Sequence, residues 1–138
     1  MTAPALQLID LPAHIDARGS LSFLEGSRHV PFDIKRVFYL YDIKDGQRRG
    51  AHAHRALEQV FIAIAGAFDV SLDDGTESRA VRLSNPTQAL YIPPLVWCDL
   101  ERFTEGAVCL ALASHPYDEA DYIRSYDQFL AEVKRPDR

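Results

Sequence analysis

Gly50-Ala-His-Ala-His-Arg-Ala-Leu-Glu-Gln-Val-Phe-Ile-Ala-Ile-Ala-Gly66 holds two of the chain's five histidines, two residues apart, just ahead of its most strand-like run. In an extended strand residues i and i+2 share a face, so His52 and His54 project two imidazoles to one side. Imidazole is the side chain whose unperturbed pKa lies nearest neutrality, and such a pair suits proton transfer or metal binding. The following run, Phe61 to Ala65, is apolar on both faces. That is expected of a strand buried on two sides, a second subunit being one source of cover.

Outward from the pair, Gly46 lies six positions before His52, Glu58 four after His54, and Gly66 ends the run. This order resembles the first motif of the cupins, small double-stranded β-helix (jelly-roll) barrels: Gly, five residues, His-x-His, three or four residues, Glu, then Gly. The last gap here is seven residues, where the motif usually has six. The resemblance implies a barrel with His52 and His54 pointing inward and, in metal-binding members, Glu58 beside them.

At 138 residues and 15.5 kDa the length prior gives one domain, 1–138, with room for a real core. Apolar residues make up 47% and charged residues 25%, a soluble globular balance. The net charge of −5 offers no global attraction to nucleic acid or anionic membrane, so a phosphate on a ligand has to be met by a local cluster of cations. No run approaches the roughly 20 apolar residues that span a bilayer, and the N-terminus lacks the basic start of a signal peptide. Cys98 and Cys109, the two cysteines, have no zinc-like spacing and fit a reducing compartment. The expected location is cytoplasmic.

Short β-like runs punctuated by turn residues fill residues 6–114: Ser20–Glu25, Ile34–Ile43, Leu57–Ala65, Ala67–Asp73, Ser78–Leu83, Gln88–Ile92, Val96–Phe103 and Ala107–Ala113. Asp73-Asp-Gly75 is a hairpin signal, and Ser84-Asn-Pro86 and Pro93-Pro94 are breakers. Eight short strands spaced by turns predict a mainly β sandwich or barrel. From Asp118 the period becomes helical. Tyr122, Tyr126, Phe129 and Val133 fall on one stripe, with Asp118 as N-cap and Pro136 after the last turn, which predicts a C-terminal helix over 118–134 docked on the barrel.

Several further stretches narrow the resemblance: Asp16-Ala-Arg-Gly-Ser-Leu21, Pro31-Phe-Asp-Ile-Lys-Arg-Val-Phe-Tyr39, Arg49-Gly-Ala-His-Ala-His54, Leu57-Glu-Gln-Val60, Leu90-Tyr-Ile-Pro-Pro-Leu-Val-Trp97 and Tyr117-Asp-Glu-Ala-Asp-Tyr-Ile-Arg-Ser-Tyr-Asp127. In number and order they are similar to the dTDP-4-keto-6-deoxyhexose 3,4-ketoisomerases, the WxcM-like sugar isomerases, over about residues 6–130. The resemblance implies a homodimer without metal or other cofactor that moves a carbonyl from C4 to C3 of a nucleotide-linked deoxysugar, for cell-surface glycans such as O-antigen, lipopolysaccharide or S-layer.

That chemistry makes definite demands. The C3 proton must leave, an enediol forms, a proton reaches C4, and a hydroxyl proton crosses between the two oxygens. One group has to take a carbon-bound proton at neutral pH and another has to relay between oxygens. His52, His54 and Tyr39 supply the types and number. Spacing leaves open which histidine touches carbon; the resemblance points to His52 as base and His54 as relay. For the diphosphate, Arg49 and Arg36 fall inside the resembling stretches, whereas Arg48 also reads as a solvated charge. Arg18 is a candidate for sugar or phosphate, Trp97 for sugar or base, although a turn closed by Asp16 and barrel packing would give the same residues.

A metal-binding cupin adds a histidine in a second motif, Pro-x-Gly-x-x-His. The matching stretch, Pro93-Pro-Leu-Val-Trp-Cys98, has Leu95 for the glycine and Cys98 for the histidine. A thiolate there would keep a His/Glu/Cys ligand set open, and a small buried thiol is the alternative. Family members carry histidine or arginine at the position of Cys98, which joins the candidate substrate contacts and leaves the face of C4 protonation open. A metal-dependent cupin enzyme, a non-catalytic sugar-nucleotide-binding cupin and a 3,5-epimerase remain the other readings.

Overall fold

The computed structural model describes residues 5–134, so Pro136 lies outside the described residues. Twelve strands and one helix follow in order: β1 (Gln7–Asp10), β2 (Ala13–Asp16), β3 (Gly19–Ser22), β4 (Arg36–Leu40), β5 (Arg49–His54), β6 (Gln59–Ala65), β7 (Phe68–Asp73), β8 (Ser78–Leu83), β9 (Gln88–Ile92), β10 (Trp97–Glu101), β11 (Val108–Ala113), β12 (Tyr122–Ile123) and α1 (Tyr126–Val133). All strand pairing is antiparallel, in sheets ordered β1-β9-β6-β11-β4 and β12-β5-β10-β7-β8, with β2-β3 a separate hairpin. This is the mainly β, jelly-roll barrel of a cupin. Each of the eight runs expected from sequence overlaps a strand, β5 is the strand of the histidine pair, and β1, β2 and β12 are additional.

Period-two alternation builds the core from both sheets. Phe61, Ala63, Leu90 and Ile92 face inward from one, and Phe68, Val70, Leu72 and Leu100 from the other. The opposite faces of β6 and β9 send Val60, Ile62 and Tyr91 into a second cluster, closed by Leu11, Val30 and Phe32 from the loops. The chain therefore covers much of the doubly apolar β6 by itself. It leaves Val37, Tyr39 and Ile64 about half exposed, at 54%, 60% and 47%, near an apolar groove of about 780 Å³ beside the β2-β3 hairpin.

The C-terminal helix is shorter than the periodicity predicts. The Asp118 carboxylate accepts the Ala120 N–H at 3.1 Å, but it caps a single 3-10 turn, Glu119–Asp121. Tyr122 and Ile123 then pair with His54 and Ala53 as β12, and α1 begins at Tyr126 with the Ser125 hydroxyl accepting the Gln128 N–H at 3.2 Å. A free edge of β5 competes for those backbone groups, and the ladder wins over local helical period. Phe129 of α1 is fully buried against Ala53 and Ile123.

One irregularity aims the site. Opposite β10, Cys98 pairs with His52 but Asp99 pairs with Gly50, so Ala51 is an extra residue in β5. Gly50 has φ 105° and Ala51 φ 63°, and a Cβ on Gly50 would lie 2.8 Å from the Cys98 carbonyl oxygen. The bulge shifts the side-chain phase by one, so that Arg49 and His52, three apart, share a face. Leu95, where the metal-binding motif has glycine, holds φ 63° and donates its N–H to the His54 carbonyl at 2.8 Å.

Candidate active site

Among the pockets of the barrel, a cavity of about 280 Å³ opens between the two sheets, lined by Arg36, Arg49, His52, His54, Gln59, Cys98, Tyr117 and Tyr122 among others. It is near the lower end of ligand-site volumes and has room for a single sugar-sized ring. The larger groove beside the hairpin is apolar and carries none of these acid–base groups.

His52 and His54 reach the cavity together, as the i, i+2 spacing predicts. Their rings are 5.0 Å apart, nearly perpendicular, and Tyr122 packs on both at 4.9 and 4.4 Å. Burial pushes the pKa of His52 down, and burial followed by the neighbouring His52 pushes that of His54 further down. Both imidazoles are accordingly neutral at pH 7, the form a base requires. Behind His54, its Nδ1 lies 3.2 Å from Asp121 Oδ2. His52 Nδ1 is buried without a well-formed hydrogen bond, the pull of the Gly50 carbonyl being outweighed by burial.

The expected cations divide by phase. Arg36 lines the cavity with its guanidinium 5.0 Å from the Phe38 ring and 5.6 Å from that of Tyr117, and among the described residues its buried Nε has no hydrogen-bond partner. Arg49 also lines the cavity. Arg48, the residue just before the bulged strand, pairs with Asp99 at 3.4 Å and Glu101 at 3.2 Å. Arg18 sits at the tip of the β2-β3 hairpin, 90% exposed and paired with Asp16 at 2.6 Å, so it does not line the cavity.

Tyr39 is not brought to the site. On β4, Arg36, Phe38 and Leu40 face the cavity, so strict alternation turns Tyr39 outward, where it is 60% exposed and meets Tyr41. Trp97 also points away, against Tyr126 and Phe129 of α1 at 5.4 and 5.8 Å, while its neighbour Cys98 lines the cavity. Burial raises the Cys98 thiol pKa strongly, so the side chain as it stands is a neutral thiol. Glu58, the third residue of the first metal motif, lies one place out of phase with Gln59 and accepts the Tyr91 hydroxyl at 2.6 Å. Among the described residues no three His, Cys, Asp or Glu side chains converge as a metal would require.

Sequence reasoning missed Tyr122, Tyr117, Gln59 and Asp121, having assigned Tyr122 to a helical stripe. The residues from Tyr117 to Arg124 form a wall. Arg124 donates to Glu119 at 2.8 and 2.9 Å, the Tyr117 hydroxyl donates to the same carboxylate, and the Arg124 guanidinium lies 4.3 Å over Tyr122. These bonds hold the Glu119 pKa down at about 2, the Arg124 contact being the largest cause. The usable signal was Tyr122-Ile-Arg124, whose i, i+2 polar pair around an apolar residue also fits a strand edge.

Residues 4–134 match the family model described as FdtA: WxcM-like, C-terminal. The chain is 44% identical over 123 residues, covering 89% of it and 88% of the relative, to a TDP-4-oxo-6-deoxy-alpha-D-glucose-3,4-oxoisomerase of Aneurinibacillus thermoaerophilus. Among solved structures it is similar to a histidine-to-asparagine variant of the 3,4-ketoisomerase QdtA from Thermoanaerobacterium thermosaccharolyticum in complex with TDP-4-keto-6-deoxyglucose: TM-score 0.91, 42% identity, 94% of each chain covered. The TDP-quinovose 3,4-ketoisomerase WlaRB of Campylobacter jejuni gives TM-score 0.88 and 45% identity, over 91% of this chain and 97% of that one.

Proposed function

The chain belongs to the FdtA, WxcM-like C-terminal family, and from that premise we propose that it is a sugar-nucleotide 3,4-ketoisomerase acting on a TDP-linked 4-keto-6-deoxyhexose. The observation that carries the mechanism is the pair of neutral imidazoles, half-buried His52 and buried His54, facing one sugar-sized cavity with the guanidinium of Arg36.

In this reading His52 takes the proton from C3, leaving an enediolate with its charge at O4. His54 accepts the hydroxyl proton from O3 and passes it to O4. The proton held by His52 goes to C4, which leaves the ketone at C3. Every proton taken is returned, and no electron acceptor is needed. Arg36 stabilises the enediolate oxygen, and Arg49 at the rim meets the diphosphate. Tyr122 serves as the wall that holds both rings, and Tyr39, expected among the acid–base groups, takes no step.

The half-exposed apolar face of Val37, Tyr39 and Ile64 supports a homodimer, since contiguous apolar patches of this kind on soluble proteins mark contact sites. Product analysis by NMR after incubation with TDP-4-keto-6-deoxyglucose in D₂O tests the whole reading. A carbonyl at C3 is expected, with deuterium at C4 to the extent that the proton on His52 exchanges with solvent before it is delivered. Exchange or inversion at C3 and C5 without carbonyl movement would mark an epimerase, and unchanged substrate a binding protein.

A further inference from the structure

Asp121 stands behind His54 on the side away from the main cavity, and both are secluded: the side chains are 16% and 6% exposed. The carboxylate is itself held in place. Its Oδ1 accepts the Ala56 N–H at 2.8 Å, its Oδ2 the Leu57 N–H at 3.2 Å, and its carbonyl the Arg55 N–H at 2.9 Å. Arg55 in turn donates to the carbonyls of Ala120 and Tyr122 at 2.7 and 3.0 Å and to Glu132 of α1 at 3.1 Å. The loop after β5, the 3-10 turn and the helix thus converge on one carboxylate.

An ionised carboxylate only accepts hydrogen bonds, so the ring nitrogen beside it has to be a donor. For a neutral His54 this puts the proton on Nδ1 and leaves Nε2 with a lone pair. Among the described residues His52 has no carboxylate bonded at its Nδ1, only the pull of the Gly50 carbonyl, and the two imidazoles therefore differ in their surroundings. Resting on the ketoisomerase reading, we propose that Asp121 is a positioning residue that fixes His54 in the Nδ1–H tautomer, presenting Nε2 to the cavity as the acceptor for the hydroxyl proton of the sugar. As that proton arrives, the O3–H bond breaks and Nε2–H forms. The ring becomes an imidazolium stabilised by Asp121, and Nε2–H then breaks as O4–H forms. His52 and Arg36 oppose charge on His54, Asp121 favours it, and His115, Asp118 and Tyr122 line the small cavity of about 90 Å³ around its far edge.

Asp121→Asn tests this, because the amide can keep its oxygen on Ala56 while turning its NH₂ toward Nδ1. The His54 proton is then driven to Nε2. Long-range ¹⁵N–¹H NMR of the wild-type protein at neutral pH is expected to show His54 protonated at Nδ1, and D121N to show the reverse. Turnover of D121N should fall on the order of 10² to 10⁴-fold with KM changed by less than about threefold, as when a triad carboxylate is neutralised. D121E, which keeps the charge, should regain the Nδ1–H form and part of kcat. A wild-type His54 protonated at Nε2 overturns the proposal, as does a D121N protein that turns over normally. If D121N does not fold, the wild-type spectrum and D121E decide. A wild-type protein that leaves the keto-sugar untouched would sink the reaction reading, while its His54 spectrum still tests Asp121.

Discussion

His52 and His54 differ in surroundings although they sit on one strand two residues apart, and their roles can be separated by single substitutions. His52→Asn keeps the shape and hydrogen-bonding capacity of the site but has no basic nitrogen. It is expected to bind TDP with unchanged affinity while C3 proton exchange in D₂O falls on the order of 10² to 10⁴-fold. Normal exchange would remove His52 as the carbon base. For the tyrosines, Tyr122→Ala withdraws the ring that holds both imidazoles and should cost on the order of 10² in kcat through misplacement, whereas Tyr39→Phe should leave kcat within about twofold. The reverse ranking would return Tyr39 to the acid–base set. The shared placement of the histidines was legible because spacing alone puts them on one face. The outward placement of Tyr39 was not, since its type suited the chemistry but its phase relative to Arg36 turns it outward.

At the scale of elements, the β5 bulge is the device that brings Arg49 into phase with His52. Gly50→Ala forces a Cβ to within 2.8 Å of the Cys98 carbonyl oxygen at a φ of 105°, so the bulge must shift or strain. The expected cost is about 1–3 kcal/mol of stability, read by urea denaturation, together with a loss of turnover larger than that of a surface Gly→Ala control. Unchanged activity would show that Arg49 need not share the imidazole face. The helix α1 acts at a distance: it covers Trp97 with Tyr126 and Phe129 and is tied through Arg55 and Glu132 to the turn that carries Asp121. Pattern reading found this helix but began it eight residues early. Periodicity cannot see that the backbone of Tyr122 and Ile123 will be claimed by the edge of β5.

For the molecule as a whole, the two lowered histidine pKa values set a pH dependence of stability. An unfolded chain protonates its histidines near 6.5, and the folded one resists. Below that pH the unfolded state binds more protons, so stability falls with falling pH down to the lowered folded values and is flat above neutrality. Melting temperatures between pH 8 and pH 5 should follow this limb, and replacing both histidines with Asn should flatten it. The apolar outer face makes a separate prediction. Ile64→Glu or Val37→Lys places a charge in the face that supports dimerisation, and light scattering should show a shift to monomer. A wild-type protein that is monomeric at micromolar concentration would refute that interface.

The sequence by itself determined the β class, the eight principal strands, the hairpin at Asp73-Asp-Gly75 and the common face of His52 and His54, because alternation and turn chemistry act over a few neighbouring residues. Tertiary structure decided what shares the cavity with them. A one-residue bulge separates Arg49 from Arg48, strand phase sends Glu58 to Tyr91 and Tyr39 to the outside, and a free sheet edge draws Tyr122 and Asp121 out of a helical pattern to stand against the imidazoles. Those outcomes depend on contacts between residues far apart in the chain, from the 33 positions that separate Glu58 from Tyr91 to the 67 that separate His54 from Asp121, and the period of a short stretch carries no record of which distant group will complete it.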